Sequence, residues 1–374
     1  MGFFLNIINL IKYFYLSKDQ RQITFYSEGK NYWPHLEGLV LEVLEKSKFK
    51  VCYVSSKKDD PGLFIKHSRL KTFIIGDSYV RDHFFQNLDT RVLVMTMPDL
   101  GNFRVKRSHN NVHYVYVQHS IVSLHMIYRE GAFNNYDTIC AVGYHHVNEI
   151  RKIEEKYNLP KKNIIELGYS RLDSLIKKNH IVTKTNKIKE KIHKKILIAP
   201  SWGPNGIIES GLGESLTTQL LDLGHEVVIR PHPETIRFAK DQIEKIKRKH
   251  VNNKMFSFER DIVGDESLYS SDIMISDWSG VALEYAFALK KPVIFCDLPR
   301  KINNKNYLEI EIDPIEVSIR SKVGLIWDGI SPISESIKIS SQKNKNDLNA
   351  LIDQYCFNLG YSDKIFVEFC QSFI

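Results

Sequence analysis

Short apolar runs alternate with stretches of helical period along this chain, stop once, and start again. The first series has runs at 22–27 (QITFYS), 50–55 (KVCYVS), 72–76 (TFIIG), 91–96 (RVLVMT), 112–118 (VHYVYVQ) and 137–142 (DTICAV), with helical patterns such as 34–47 and 145–157. The second has 195–200 (KILIAP), 225–230 (HEVVIR), 272–276 (DIMIS) and 292–296 (PVIFC), with helices expected around 213–222, 235–249 and 280–289. Parallel strands need a crossover between them, so this alternation selects an α/β fold on parallel sheets. Between the two series, 177–195 (KKNHIVTKTNKIKEKIHKK) is lysine-rich with little apolar content and reads as an exposed connection. The chain is therefore expected to hold two Rossmann-like doubly wound domains, 19–180 and 190–345, facing a cleft. A helical segment, 346–374, is expected to fold back across both. Ligands of open α/β sheets bind where the carboxyl ends of the strands meet such a cleft.

The N-terminus, MGFFLNIINLIKYFYL, lacks the basic start and cleavage site of a secretion signal and is too short and interrupted to span a bilayer. As a helix it gathers Asn6, Asn9 and Lys12 in one stripe. Phe3, Phe4, Leu5, Ile7, Ile8, Leu10, Ile11, Phe14 and Tyr15 occupy the rest. A helix of this form lies in a membrane interface or packs on protein. For 1–18 the membrane surface is the expectation, which makes the protein peripheral on the cytoplasmic face.

The net charge of +8 suggests anionic partners or a generic lysine-rich surface. Basic residues are dispersed without interleaved aromatics, which argues against nucleic acid. The five cysteines are scattered with no CxxC pair, so neither a zinc ribbon nor a disulfide framework is supported. A reducing compartment fits. No Asp-x-Asp metal signature stands in a suitable loop, and no metal or other cofactor is expected.

Residues with useful chemistry follow the strands. His119, after VHYVYV, can point into the cleft. Its imidazole suits a general base, and suits equally a hydrogen-bonded structural group. His125 is a weaker candidate for the same task. GYSRLD (168–173) places Arg171 beside a turn or a helix cap. In APSWG, Ser201 and Trp202 stand where a loop can approach a phosphate. In RPHP, Arg230 and His232 lie on a stiff segment and suit a diphosphate, whose leaving charge needs neutralising. The last group is SDWSGVALEYA. Ser276 or Asp277 is expected to cap the helix opening near Gly280, whose mouth of unpaired amides suits an anion. Ser279 adds a hydroxyl. Glu284, one turn inside, can accept hydrogen bonds from sugar hydroxyls. Asp277 would repel a bare phosphate, so it caps or orients.

In this order the segments resemble those of the CDP-glycerol glycerophosphotransferase family, which includes the teichoic acid primases and polymerases. VQHSIVS is similar to the family's Trp-His-Gly-Thr-like segment and GYSRLDSL to Gly-x-Pro-Arg-x-Asp-x-Leu. APSW is similar to Ala-Pro-Thr-Trp, and RPHP to Arg-x-His-Pro. SDWSGVALEYA, with KKPVIF after it, is similar to Thr-Asp-Tyr-Ser-Ser-x-x-x-Asp-Phe-Ala and its following strand. Gln118, Gly280 and Glu284 stand where the family has Trp, Ser and Asp. YSEGKNYWPH and MTMPDL match none of its motifs.

The resemblance implies a GT-B fold. It implies a CDP-activated polyol phosphate donor, of glycerol or ribitol, with CMP leaving. It also implies a lipid-linked or polysaccharide acceptor of a surface polymer at the membrane. His119 would deprotonate the acceptor hydroxyl, and Arg230 and His232 would neutralise the donor's diphosphate. Ser276, Asp277, Ser279 and Glu284 would line the donor pocket. The alternative is a GT-B glycosyltransferase using a nucleotide sugar for capsule or O-antigen polysaccharide. It shares the fold and the anion cradle and differs in attack at carbon instead of phosphorus.

Overall fold

The computed structural model describes residues 2–185, 192–259, 264–342 and 347–373. The first sheet has seven strands: β1 (Ile23–Ser27), β2 (Val51–Ser55), β3 (Leu70–Ile74), β4 (Val92–Met95), β5 (His113–Tyr116), β6 (Thr138–Ala141) and β7 (Asn163–Glu166). Their order is β3-β2-β1-β4-β5-β6-β7. The second sheet has β8 (Lys195–Ile198), β9 (Glu226–Ile229), β10 (Phe256–Phe258), β11 (Ile273–Ser276), β12 (Val293–Cys296) and β13 (Leu325–Trp327), in the order β10-β9-β8-β11-β12-β13. Every pairing is parallel. In each sheet the winding reverses beside the first strand, between β1 and β4 and between β8 and β11. This is the doubly wound arrangement, with a crevice at each switch point. β1, β2, β4, β6, β11 and β12 are buried along their whole length. Strands covered on both faces read as continuous apolar runs, which is why they stand out in the sequence.

Some elements differ from the sequence expectation. β3 begins two residues before the TFIIG run, at Leu70. β10 (FSF) and β13 (LIW) are too short to show a pattern. The helix expected over 235–249 is two helices, Pro233–Phe238 and Lys240–His250, broken at Ala239. The lysine-rich stretch is not simply a connection. A helix, Ser170–Thr185, continues into it, and β8 begins at Lys195. Residues 186–191 of that stretch lie outside the described residues.

The two lobes share a buried apolar cluster. Ile121, Tyr169 and Leu172 of the first meet Leu197, Leu283 and Phe287 of the second, and Leu348 and Ile352 of the Asp347–Tyr355 helix complete it. The last helix, Ser362–Phe373, buries Phe366, Val367 and Cys370 against the first lobe, with the Phe366 ring 6.0 Å from that of Phe25. Asp173 fixes the turn before this helix by accepting the amides of Gly360 (2.7 Å) and Ser362 (3.0 Å).

The N-terminal helix, Gly2–Phe14, docks on the first lobe. Leu10 and Tyr13 are buried. The Tyr13 ring meets Phe73 and Phe84 edge-on at 5.4 and 5.1 Å, and its hydroxyl is 2.9 Å from Thr24 Oγ1. Ile7, Leu10 and Phe14 therefore belong to the inward face, a correction to the outward set read from the sequence. Phe3, Phe4, Leu5, Ile8, Ile11 and Tyr15 remain exposed.

Candidate active site

The strand ends converge. β1, β5, β8, β9 and β11 lead directly into 28–35, 117–120, 199–203, 230–233 and 277–280. A cavity of about 340 Å³ lies between the lobes at these ends. His35, His119, Ser120, Tyr128 and Arg171 line it from the first lobe. Ser201, Trp202, Arg230, His232, Ser279, Gly280, Glu284 and Lys301 line it from the second. Ser276 and Asp277 do not. Ser276 is wholly buried and donates to the Ala199 carbonyl (2.6 Å). Asp277 does not cap the helix. Its Oδ1 accepts the amides of Ser201 (2.6 Å) and Trp278 (2.7 Å), and its Oδ2 that of Ile207 (3.2 Å). It therefore shapes the Ser201–Trp202 loop from behind.

His119 stands between two phenols, with Tyr116 Oη 3.1 Å from Nδ1 and Tyr128 Oη 3.4 Å from Nε2. Burial lowers its pKa to about 4, so the ring is neutral near pH 7, with a lone pair on one nitrogen. The loop after it is pinned by other histidines. His145 Nε2 is 3.0 Å from the Ile121 carbonyl, and His146 Nε2 is 2.9 Å from that of Val122. His125, the second candidate base, is a structural group outside the cavity wall. Its Nε2 is 2.9 Å from the Ile312 carbonyl and its Nδ1 3.2 Å from the Glu149 carboxylate.

His232 is the residue before the Pro233–Phe238 helix, and its Nδ1 accepts the Glu234 amide (3.1 Å). The hydrogen of the neutral ring is then on Nε2, so His232 serves as an uncharged donor. Burial, helped by the nearby Lys301 and His119, holds its pKa at about 3. In this state what it offers a diphosphate is the Nε2–H.

Positive charge comes from three other groups. Arg230 is buried in the wall, where Nη1 donates to the Gly264 carbonyl (2.8 Å) and Ser267 Oγ (3.2 Å). Lys301, missed in the sequence because it follows β12 outside any motif, sits 4.6 Å over the Trp202 ring. Burial lowers its pKa to about 8, against the pull of Asp277 and Glu209. The Gly280–Leu289 helix opens on the cavity, and its N-cap residue, Ser279, makes no side-chain cap. The Ala282 amide donates to the Ser279 carbonyl (3.1 Å), and the amides of the helix mouth ahead of it suit an anion.

Arg171 lines the cavity, but both terminal nitrogens are held by Asp265: Nη1 donates to Oδ2 at 2.9 Å and Nη2 to Oδ1. Its Nε is 3.8 Å from Glu284 Oε2. Glu284 in turn accepts a hydrogen bond from Tyr169 (2.9 Å), whose hydroxyl is also 3.0 Å from His35 Nδ1. Burial raises the pKa of Glu284. His35 stands in a segment that matches no motif, and Tyr169 stands within GYSRLD with only Arg171 of that segment named for the site, since the partners of both are far away along the chain.

Among solved structures, a variant of the wall teichoic acid polymerase TagF is similar over 99% of this chain and 97% of its own, with a TM-score of 0.64 at 14% identity. UDP-GlcNAc 2-epimerase of Methanocaldococcus jannaschii, in complex with UDP-GlcNAc and UDP, gives 0.58 at 12% identity over 94% and 99%. These likenesses establish the GT-B fold. No curated protein matches the sequence. The profile of the CDP-glycerol:poly(glycerophosphate) glycerophosphotransferase family matches residues 8–301, a span that holds every cavity residue named above. The chain belongs to that family of transferases.

Proposed function

We propose that this transferase moves glycerol phosphate, or a related polyol phosphate, from a CDP-activated donor to a hydroxyl of a surface-polymer acceptor. The observation that carries the reading is the opposition of His119 on one lobe to His232, Arg230, Lys301 and the Ser279–Gly280 helix mouth on the other, across one cavity. The acceptor oxygen attacks the phosphorus that bears the polyol. A P–O bond forms there, the bond to CMP breaks, and the acceptor proton passes to His119. The departing CMP phosphate gains negative charge, which the second lobe meets with the His232 Nε2–H, the two cationic side chains and the helix amides.

The same proposal places the enzyme on the cytoplasmic face of the membrane. Among the described residues no helix is long and apolar enough to cross a bilayer. The outward face of the N-terminal helix, with Phe3, Phe4, Leu5, Ile8 and Ile11 all about half exposed or more, suits an interfacial position.

The test is CMP release from CDP-glycerol, with a membrane fraction as acceptor, by wild type and His119→Ala. The variant is expected to lose turnover while keeping donor affinity. Unchanged turnover would refute the role of His119. Stabilisation by UDP or GDP compounds but not by cytidine compounds would move the reading to a glycosyltransferase.

A further inference from the structure

The segment YSEGKNYWPH, unassigned by any motif, places His35 in the first turn of the Trp33–Lys46 helix, just after β1 at the switch point of the first sheet. His35 lines the cavity, with its ring centroid 6.1 Å from that of His119. Its Nδ1 meets the Tyr169 hydroxyl, and that hydroxyl donates to Glu284 of the other lobe. A phenol has one hydrogen to give. With that hydrogen on the Glu284 carboxylate, His35 must donate its own Nδ1–H to the Tyr169 oxygen, which leaves the Nε2 lone pair as an acceptor. Nε2 has no protein hydrogen-bond partner among the described residues.

Resting on the donor reading above, we propose that His35 is a substrate-contacting residue, whose Nε2 accepts a hydrogen bond from a hydroxyl of the transferred polyol. Glu284, which lines the same cavity from the other lobe, is a second acceptor. Two acceptors flanking one space suit a group that presents hydroxyl hydrogens. The Glu284–Tyr169–His35 chain crosses the lobe boundary, so the His35 tautomer is fixed only when the two lobes meet. Burial also keeps the His35 ring neutral, as an acceptor requires.

The test is calorimetric titration of wild type, His35→Asn, His35→Gln and Tyr169→Phe with CDP and with CDP-glycerol. The Asn amide sits near Nδ1 and loses the Nε2 contact, whereas the Gln amide reaches the Nε2 position. Loss of one ordinary hydrogen bond costs a few-fold to about tenfold in affinity. His35→Asn and Tyr169→Phe are therefore expected to weaken CDP-glycerol by that factor with CDP unchanged, and His35→Gln to restore most of it. Melting temperatures identify a variant that has lost its fold, and His35→Gln then decides alone. A purely structural His35 would weaken both ligands together or neither, and either result overturns the inference. Wild-type protein that binds no CDP overturns the donor reading, and this inference with it.

Discussion

A methyl group added at Gly280 would lie 2.1 Å from Ser120 Oγ and 3.4 Å from Ser120 Cβ. The mouth of the anion-facing helix thus rests against the residue next to His119, and glycine permits the approach. This accounts for Gly280 where the family has serine. Gly280→Ala forces the Ser120 hydroxyl to turn aside, which gives up its 3.4 Å contact with the Val122 amide in the loop after His119. The side chain can turn without carrying the backbone with it, so we expect a loss of about a few-fold in CMP release, the scale of one weak hydrogen bond. Ser120→Ala should add nothing to it in the double variant, because the same contact is then already lost. Rates for the four proteins of this cycle check the coupling; additive effects would contradict it.

The Arg171–Asp265 pair leads to a different expectation from the donor contact read in the sequence. Both partners are buried, and the fork is bidentate. Asp265→Ala leaves a guanidinium without its partner, which typically costs about 3–5 kcal/mol. Urea denaturation should show that loss, and Arg171→Lys should fail to restore the fork geometry. Replacing both residues by apolar ones should cost less than the single change. An Asp265→Ala protein of unchanged stability and impaired donor affinity would return Arg171 to the binding role.

These two cases mark what the sequence makes legible. Strands buried on both faces announce themselves as apolar runs, and the site follows the strand ends, so His119, Ser201, Arg230, His232 and Ser279 could be named in order. What stayed hidden is set by partners distant in sequence. Arg171 and Asp265 are 94 residues apart, Tyr169 and His35 are 134 apart, and Tyr169 and Glu284 are 115 apart. Asp277 carries the same residue type whether it caps a helix or braces a loop, and only the position of the Ser201 and Ile207 amides decides. Lys301 lies in an irregular segment with no periodicity to betray it.

The buried histidines set a pH dependence. His119 and His232 titrate near 4 and 3 in the folded protein, against about 6.5 in an unfolded chain. Between those values the unfolded state binds protons that the folded state refuses. Their contribution to stability is therefore present above pH 6.5 and is lost as pH falls toward 4. The buried carboxyl of Glu316, raised to about 7, works in the opposite direction, so the informative quantity is a difference. His119→Asn with His232→Asn should flatten the decline in melting temperature between pH 6.5 and 4 relative to wild type. A parallel decline would mean that the two rings are charged in the folded state.

The N-terminal helix separates docking from membrane binding residue by residue. Phe4 is 72% exposed and Ile8 47%, whereas Tyr13 is fully buried. Phe4→Glu with Ile8→Glu should leave the melting temperature unchanged, because both side chains already face water. The same pair should abolish co-sedimentation with vesicles of anionic lipid, since burying such side chains is worth about 1.5–3 kcal/mol each. Tyr13→Ala should do the reverse to the fold, costing several kcal/mol (about 3–5 for truncating a buried aromatic) by emptying the space against Phe73 and Phe84. If the glutamate pair binds vesicles as wild type does, or if wild type does not bind at all, the exposed face serves something other than lipid. A peripheral enzyme held by this face would carry the acceptor-side lobe next to the bilayer, because the helix docks on the first lobe beside β3.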